Sequence, residues 1–532
     1  MHGPFTARVF RMRPGNARGR WTAALRLLLT TLTLLLPARV HAHGALQRSE
    51  PGQGAHLSTP PRELRLTFNE SVELAVARLQ LIGPDSASVE LGPLALDPDS
   101  ATVLIAPVQG GLMAGIYTVA WQVAGADGHP VRGTYTFVIA PGAAGLAGPV
   151  APGAEPPPVT HHDPTALPSG EGFDAESPLY VLVRWLTYLA LTGVIGATAF
   201  RFAVLPLTRR QGSSGFDHLL GPAAARAARL GLAASALVGI AAVLRLYAQS
   251  YALHGGARVL EPALVGTMLT RTLWGWGWLL QAVGTALALA GFAAAARPRL
   301  QLGPVREAAP AEPIPVLVGS ASAPAPAYDD GEPGQRSGAA TLGAQAIPGA
   351  PWLLAGVGAL ALAFAPALSG HAAAVPRLGP LAILADALHV MAAGGWIGGL
   401  LVLVAAGIPA AMRLEREERG PAVAALVNAF SPTALAFAGA LMLTGLFAAW
   451  LHMGSIPALW ESGYGRTLLV KLGVLSGVFA TGAYNWLKVK PALGDELGAT
   501  RLRRSARVEI AIGALVLLVT AVLVATAPPI RP

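Results

Sequence analysis

The sequence predicts an N-terminal all-β domain followed by an all-α polytopic membrane bundle of eight transmembrane helices. Three observations predict it. Short segments of alternating apolar residues, broken by Gly, Pro and Asp turns, fill residues 43–140. Beyond them the period changes, and eight apolar runs follow that are each long enough to cross a bilayer as a helix. The composition agrees, because 53% of the 532 residues are hydrophobic and only 13% charged, too apolar for a wholly soluble chain.

Residues 1–42 read as a secretory signal, with a basic stretch through Arg26, the apolar run LLLTTLTLLLP and the small-residue site Val40-His41-Ala42. Cleavage after Ala42 is expected, which makes His43 the first residue of the mature chain. In the β domain, residues 43–140, Leu64, Leu66 and Phe68 alternate with polar neighbours. Tyr117, Val119, Trp121 and Val123, and then Tyr135, Phe137 and Ile139, alternate with smaller or polar ones, the pattern of strands with one buried face. Several such strands in about a hundred residues argue for a small antiparallel sandwich or barrel. Residues 141–177, rich in Pro, Gly and Ala, form a flexible linker.

The membrane runs lie near 179–206, 223–248, 272–296, 350–368, 380–411, 421–451, 466–487 and 506–527. They group as three helices in 178–296 and five in 350–527, separated by a low-complexity cytoplasmic linker over 297–349. Arg209, Arg210, Arg297, Arg299, Arg413, Arg416, Arg419, Lys488, Arg501, Arg503 and Arg504 fall in alternate loops, and the other loops hold few cations. By the positive-inside bias, the β domain and the C-terminus then both face outward from a bacterial inner (plasma) membrane. The same placement explains the net charge of +9: the cations set topology in the lipid bilayer and do not indicate nucleic acid. No GxxxxGK[ST] pattern is present, so ATP is not expected to drive the protein. With no cysteine, a metal must be held by nitrogen, oxygen or thioether.

A freed N-terminal His43 offers an α-amine and a ring nitrogen to one ion. The turn Ala126-Asp127-Gly128-His129-Pro130, between two alternating strands, projects Asp127 and His129 from one end of the domain. An amine, two imidazoles and a carboxylate suit tetragonal Cu(II), although zinc accepts similar ligands. In the membrane half, His389 lies roughly 14 Å into its helix at ~1.5 Å per residue. That is an expensive depth for an imidazole and marks a pathway candidate. Asp386 precedes it by one turn and can orient its ring. His371 ends the fourth helix, and His452 with Met453 ends the sixth, all three at the outer surface in this topology. Arg184, Lys471, Asn485 and Glu509 also lie within helices, as path-lining groups or as polar contacts between helices, with partners that one sequence leaves open.

HGALQRSEPGQGA, LTFNESVE and YTVAWQVAGADGHPVRGTYTF resemble the CopC copper-binding domain, and the likeness covers nearly all of 43–140. It implies a Greek-key, cupredoxin-like sandwich or barrel in which His43, Asp127 and His129 are the Cu(II) ligands. The membrane half resembles the CopD family through SGHAA at 369–373, DALHVMAAGGWIGGL at 386–400, TG at 444–445, YGRTLLVK at 464–471 and AYNWLK at 483–488. A fusion of the two implies capture of Cu(II) outside, copper movement inward through a path that includes His371, Asp386, His389, His452 and Met453, and a periplasmic copper chaperone as candidate partner. The alternative is sequestration or hand-over of periplasmic copper without transport. A redox enzyme with haem is disfavoured because only His389 is clearly mid-membrane.

Overall fold

The computed structural model describes residues 46–125, 128, 130–141, 177–211, 217–297, 349–370, 372, 378–489 and 496–526. The expected signal segment, both linkers, and His43, Asp127, His129 and His371 lie outside the described residues.

Nine strands form two facing sheets. One sheet runs β1 (Leu46–Glu50), β3 (Glu63–Phe68), β7 (Ser100–Pro107), β6 (Ala95–Asp97). The other runs β2 (His56–Leu57), β9 (Pro130–Ile139), β8 (Gly115–Ala124), β4 (Arg78–Ile82), β5 (Ser88–Val89). The expected alternation fills the space between them. Leu64, Leu66, Phe68 and Leu104 from the first sheet meet Leu81, Tyr117, Val119, Trp121, Tyr135, Phe137 and Ile139 from the second. Phe68 and Trp121 meet edge to face at 5.1 Å, and Tyr117 stacks on its cross-strand partner Phe137 at 5.4 Å. One pairing departs from the antiparallel expectation: β2 lies parallel to the end of β9, His56 opposite Val138. Two residues suffice for it, because β2 follows β1 across to the other sheet and needs no hairpin.

All eight expected membrane runs are helical: α1 Pro178–Arg210, α2 His218–His254, α3 Leu273–Ala296, α4 Ala350–Leu368, α5 Gly379–Ala411, α6 Arg416–Met453, α7 Gly463–Lys488 and α8 Arg501–Leu523. Each is long and apolar enough to cross a membrane. A short helix, Pro262–Arg271, joins α2 to α3. At the centre, α1 packs against α2, α4, α5 and α8. The crossing of α1 with α5 depends on glycine: a Cβ at Gly196 would strike the backbone of Gly398, and one at Gly398 would strike the carbonyl of Thr192. The GGWIGG run therefore permits close helix packing, as small residues do in membranes. Next to that contact α5 contains two π-helical turns, Gly394–Gly398 and Leu403–Gly407, which accommodate an extra residue without breaking the helix.

Candidate functional site

The β domain sits on one end of the bundle, at the last turn of α2 and the first turn of α3. Strand β8 shows why. Its alternation holds to Val119, and then every residue to Ala124 is buried. Inward residues face the sandwich core, while Gln122 and Ala124 face the helices. Gln122 Nε2 donates to the carbonyl of Leu253 at 3.1 Å, and Arg132 on β9 donates to the carbonyl of Ala252 at 2.6 Å. These bonds satisfy carbonyls that the end of α2 leaves without helical partners, and the guanidinium also suits the negative end of the helix dipole. The opposite charge meets the opposite end: the carboxylate of Glu73 accepts from the backbone N–H of Leu273, at 2.9 Å, where α3 begins. Thr272 caps the same turn, its side chain accepting from the N–H of Gly275 at 3.0 Å. Val76, Ala124, Leu253, Met268 and Trp274 close an apolar cluster between the two parts.

Burial raises the pKa of the Glu73 carboxyl above the ordinary glutamate value, and the Leu273 N–H opposes the rise. Burial, then repulsion from Arg258, lowers the pKa of the Arg78 guanidinium, partly offset by Glu261. Arg78 lies 3.4 Å from Nδ1 of His254. A guanidinium can only donate, so this nitrogen accepts and Nε2 carries the proton.

Gly128, between β8 and β9 where a metal site is expected, rests on this face. Gly128 is buried, its N–H donates to the carbonyl of Gly125 at 2.8 Å, and its carbonyl accepts from Gln249 of α2. Its φ of 79° lies in the left-handed region, and a Cβ there would come within 2.6 Å of the Trp274 ring. Asp127 and His129 flank it outside the described residues. Among the described residues no group of three or more His, Asp or Glu side chains could hold a metal ion.

Below this face, polar groups gather between α5, α6 and α7. Nδ1 of His389 lies 2.9 Å from the hydroxyl of Thr444, and that hydroxyl donates to the carbonyl of Ala440 at 2.7 Å. The imidazole therefore donates from Nδ1, leaving Nε2 as the basic nitrogen. The expected orienting partner, Asp386, gives way to Thr444, which faces the ring from α6; among the described residues Asp386 makes no hydrogen bond to His389. Lys471 on α7 is close enough for its charge to act on both Asp386 and His389. His452 directs Nδ1 to the carbonyl of Ala448 at 2.8 Å and stacks on Tyr464, and Tyr464 in turn feels the charge of Asp386. Met453 is buried with Ala458, Leu468 and Leu523. Nearer the far end, Asn485 donates to Glu509 at 2.8 Å and accepts from Ser505. Sequence reasoning named most of these groups but missed Thr444 as a partner, along with Gln122, Arg132 and Gln249. A glutamine inside a β8 run of otherwise apolar buried positions was the one signal available for the docking face.

Three family descriptions match the chain: CopC domain over residues 46–140, Copper resistance protein D-like, N-terminal domain over 174–314, and Copper resistance protein D over 424–523. The chain is 26% identical over 521 residues to Copper transport protein CutJ of Bacillus subtilis (strain 168), covering 97% of this chain and 79% of that protein. It is 32% identical over 113 residues to Protein YobA of Escherichia coli (strain K12), 21% of this chain and 90% of that protein. The crystal structure of CopC from Methylosinus trichosporium OB3b is 27% identical and covers 19% of this chain and 95% of its own, with a TM-score of 0.18.

Proposed function

From the premise that this chain joins an N-terminal CopC domain to copper resistance protein D regions in its helical part, we propose that it captures Cu(II) outside the membrane and moves copper inward. Copper handling is common to the matched families and to the printed name of the relative that aligns with nearly the whole chain. The finer reading is ours. His43, Asp127 and His129 hold the cupric ion, with His43 as the first residue of the mature chain. The α-amine, two imidazoles and carboxylate supply an N/O set of the kind Cu(II) prefers. His389, Asp386, His452 and His371 line the onward path, and Met453 contributes packing.

One observation supports the reading above the rest. Gly128, between the two candidate ligands, is seated on Gln249 and Trp274 at the end of the bundle, so a captured ion starts near the bundle and needs no free carrier step. The polar groove between α5, α6 and α7 then supplies the intramembrane groups that a charged cargo requires. The N–H of the His389 ring is committed to Thr444, and its basic Nε2 is a neutral-imidazole donor atom of the kind metals bind.

Reconstituted vesicles test this directly. Full-length protein should carry radiocopper across the bilayer, and His389→Ala should lower the rate by about tenfold or more while Cu(II) binding to the β domain stays intact. Equal rates with and without the histidine would refute the route. If transport is absent altogether while binding is tight, the chain sequesters copper instead.

A further inference from the structure

Beside the docked turn, a cavity of about 60 Å³ opens between α1, α2, α3 and α4, lined by Arg184, Tyr188, Arg245, Gln249, Trp274 and Ser369. Its chemistry is unlike that of a cation path. At a rise of ~1.5 Å per residue, Arg184 lies roughly 9 Å below the start of α1, and Arg245 about 14 Å below the end of α2. Charged groups at such depth are costly and are expected to be paired. Among the described residues, neither guanidinium lies within 4.0 Å of a carboxylate. Arg184 donates to the carbonyl of Ala521 at 3.1 Å and lies 4.9 Å from the Tyr180 ring centre. Arg245 donates to Gln281 Oε1 at 2.7 Å and reaches the Ser369 hydroxyl at 3.4 Å, with its Cζ 5.8 Å from the Trp274 ring centre. Those partners are neutral. Asp386 is the carboxylate whose charge reaches Tyr188 together with the two arginines, and it pairs with neither.

A second observation points the same way. Gln281 is 2% exposed, its Oε1 is taken by Arg245, and its Nε2 is buried with no hydrogen-bond partner. A buried donor left without a partner is costly. Two guanidiniums thus line one cavity without a paired carboxylate, and the amide that holds Arg245 keeps an idle N–H donor.

We propose that this cavity binds a small monovalent anion, of halide or formate size, held by Arg184 and Arg245. The space has room for a few atoms and is too small for a sugar acid. An anion there cancels the repulsion that two guanidiniums would exert on a cation leaving the turn above. The site rests on the helices alone and not on copper transport.

The test uses purified full-length, copper-free protein and radiochloride. Saturable binding is expected, displaced by bromide and formate and untouched by gluconate at equal ionic strength. Because hydrogen bonds to charged groups are stronger than neutral ones, Arg245→Gln and Arg184→Gln should each weaken chloride binding by about tenfold or more. If Arg245→Gln fails to fold, Arg184→Gln carries the test together with Arg245→Lys, which keeps the charge and should retain most of the chloride binding. Absence of saturable chloride binding, equal affinity in folded Arg184→Gln, or equal competition by gluconate overturns the proposal. Failure of copper flux with chloride binding intact would count against the transport reading only.

Discussion

Gly128 has the Trp274 ring where a side chain would begin and a φ of 79° that other residues reach only under strain. Gly128→Ala should therefore loosen the β domain from the bundle by about 1–2 kcal/mol from backbone strain alone, before the ring is displaced. Cross-linking of cysteines placed on β9 and α2 would read the loss, and the natural sequence, which has no cysteine, provides a clean background. At this scale the sequence was only partly legible. Asp386, His389 and Lys471 stood out because charge and imidazole are rare in apolar runs. Their arrangement did not, because His389 takes its partner Thr444 from another helix, 55 residues away. Met453 stood out as a soft thioether at a helix end, and its burial with Ala458, Leu468 and Leu523 was not visible in the sequence.

The helices at the interface carry a charge pattern that binds a β domain by their ends. Glu73 meets the N-terminus of α3, and Arg132 the C-terminus of α2. The half-buried Glu73 carboxyl holds its proton more tightly than an ordinary glutamate because of burial, and its contact with Leu273 exists only when the domain is docked. Its contribution to docking is thus fully present below the ordinary glutamate pKa and is lost as pH rises through the raised docked value. Glu73→Gln, which keeps an oxygen to accept from Leu273, should flatten that pH dependence; an unchanged slope in cross-linking yield against pH would contradict it. At the crossing of α1 and α5, Gly398→Ala forces a methyl onto the Thr192 carbonyl and should cost about 1–3 kcal/mol of stability, seen as a lowered melting temperature. All eight spans were readable from hydropathy. Not every end was: α2 runs to His254, beyond its apolar run, because helical hydrogen bonding continues through turns that are polar enough to leave the bilayer, whereas α6 ends at Met453 as read. The short helix Pro262–Arg271 has no strong apolar run and so gave no signal. The strands were legible through period two, except where β8 is covered on both faces and its alternation disappears.

For the whole molecule, the proposal is that capture and passage share one surface, because the β domain is docked by the end that carries Gly128, between the proposed ligands. Composition and order predicted both parts; the docking itself was hidden, since it is made by side chains such as Gln122, Arg132 and Gln249 that are unremarked on their own. The triple variant Glu73→Ala/Gln122→Ala/Arg132→Ala removes the docking bonds and leaves His43, Asp127, His129 and His389 in place. The decisive measurement is radiocopper flux through this variant in reconstituted vesicles, beside its Cu(II) affinity and its interdomain cross-linking. The account predicts wild-type affinity, lost cross-linking and flux reduced by about tenfold, the equivalent of ~1.4 kcal/mol. Wild-type flux from a protein whose cross-linking proves it undocked would contradict it.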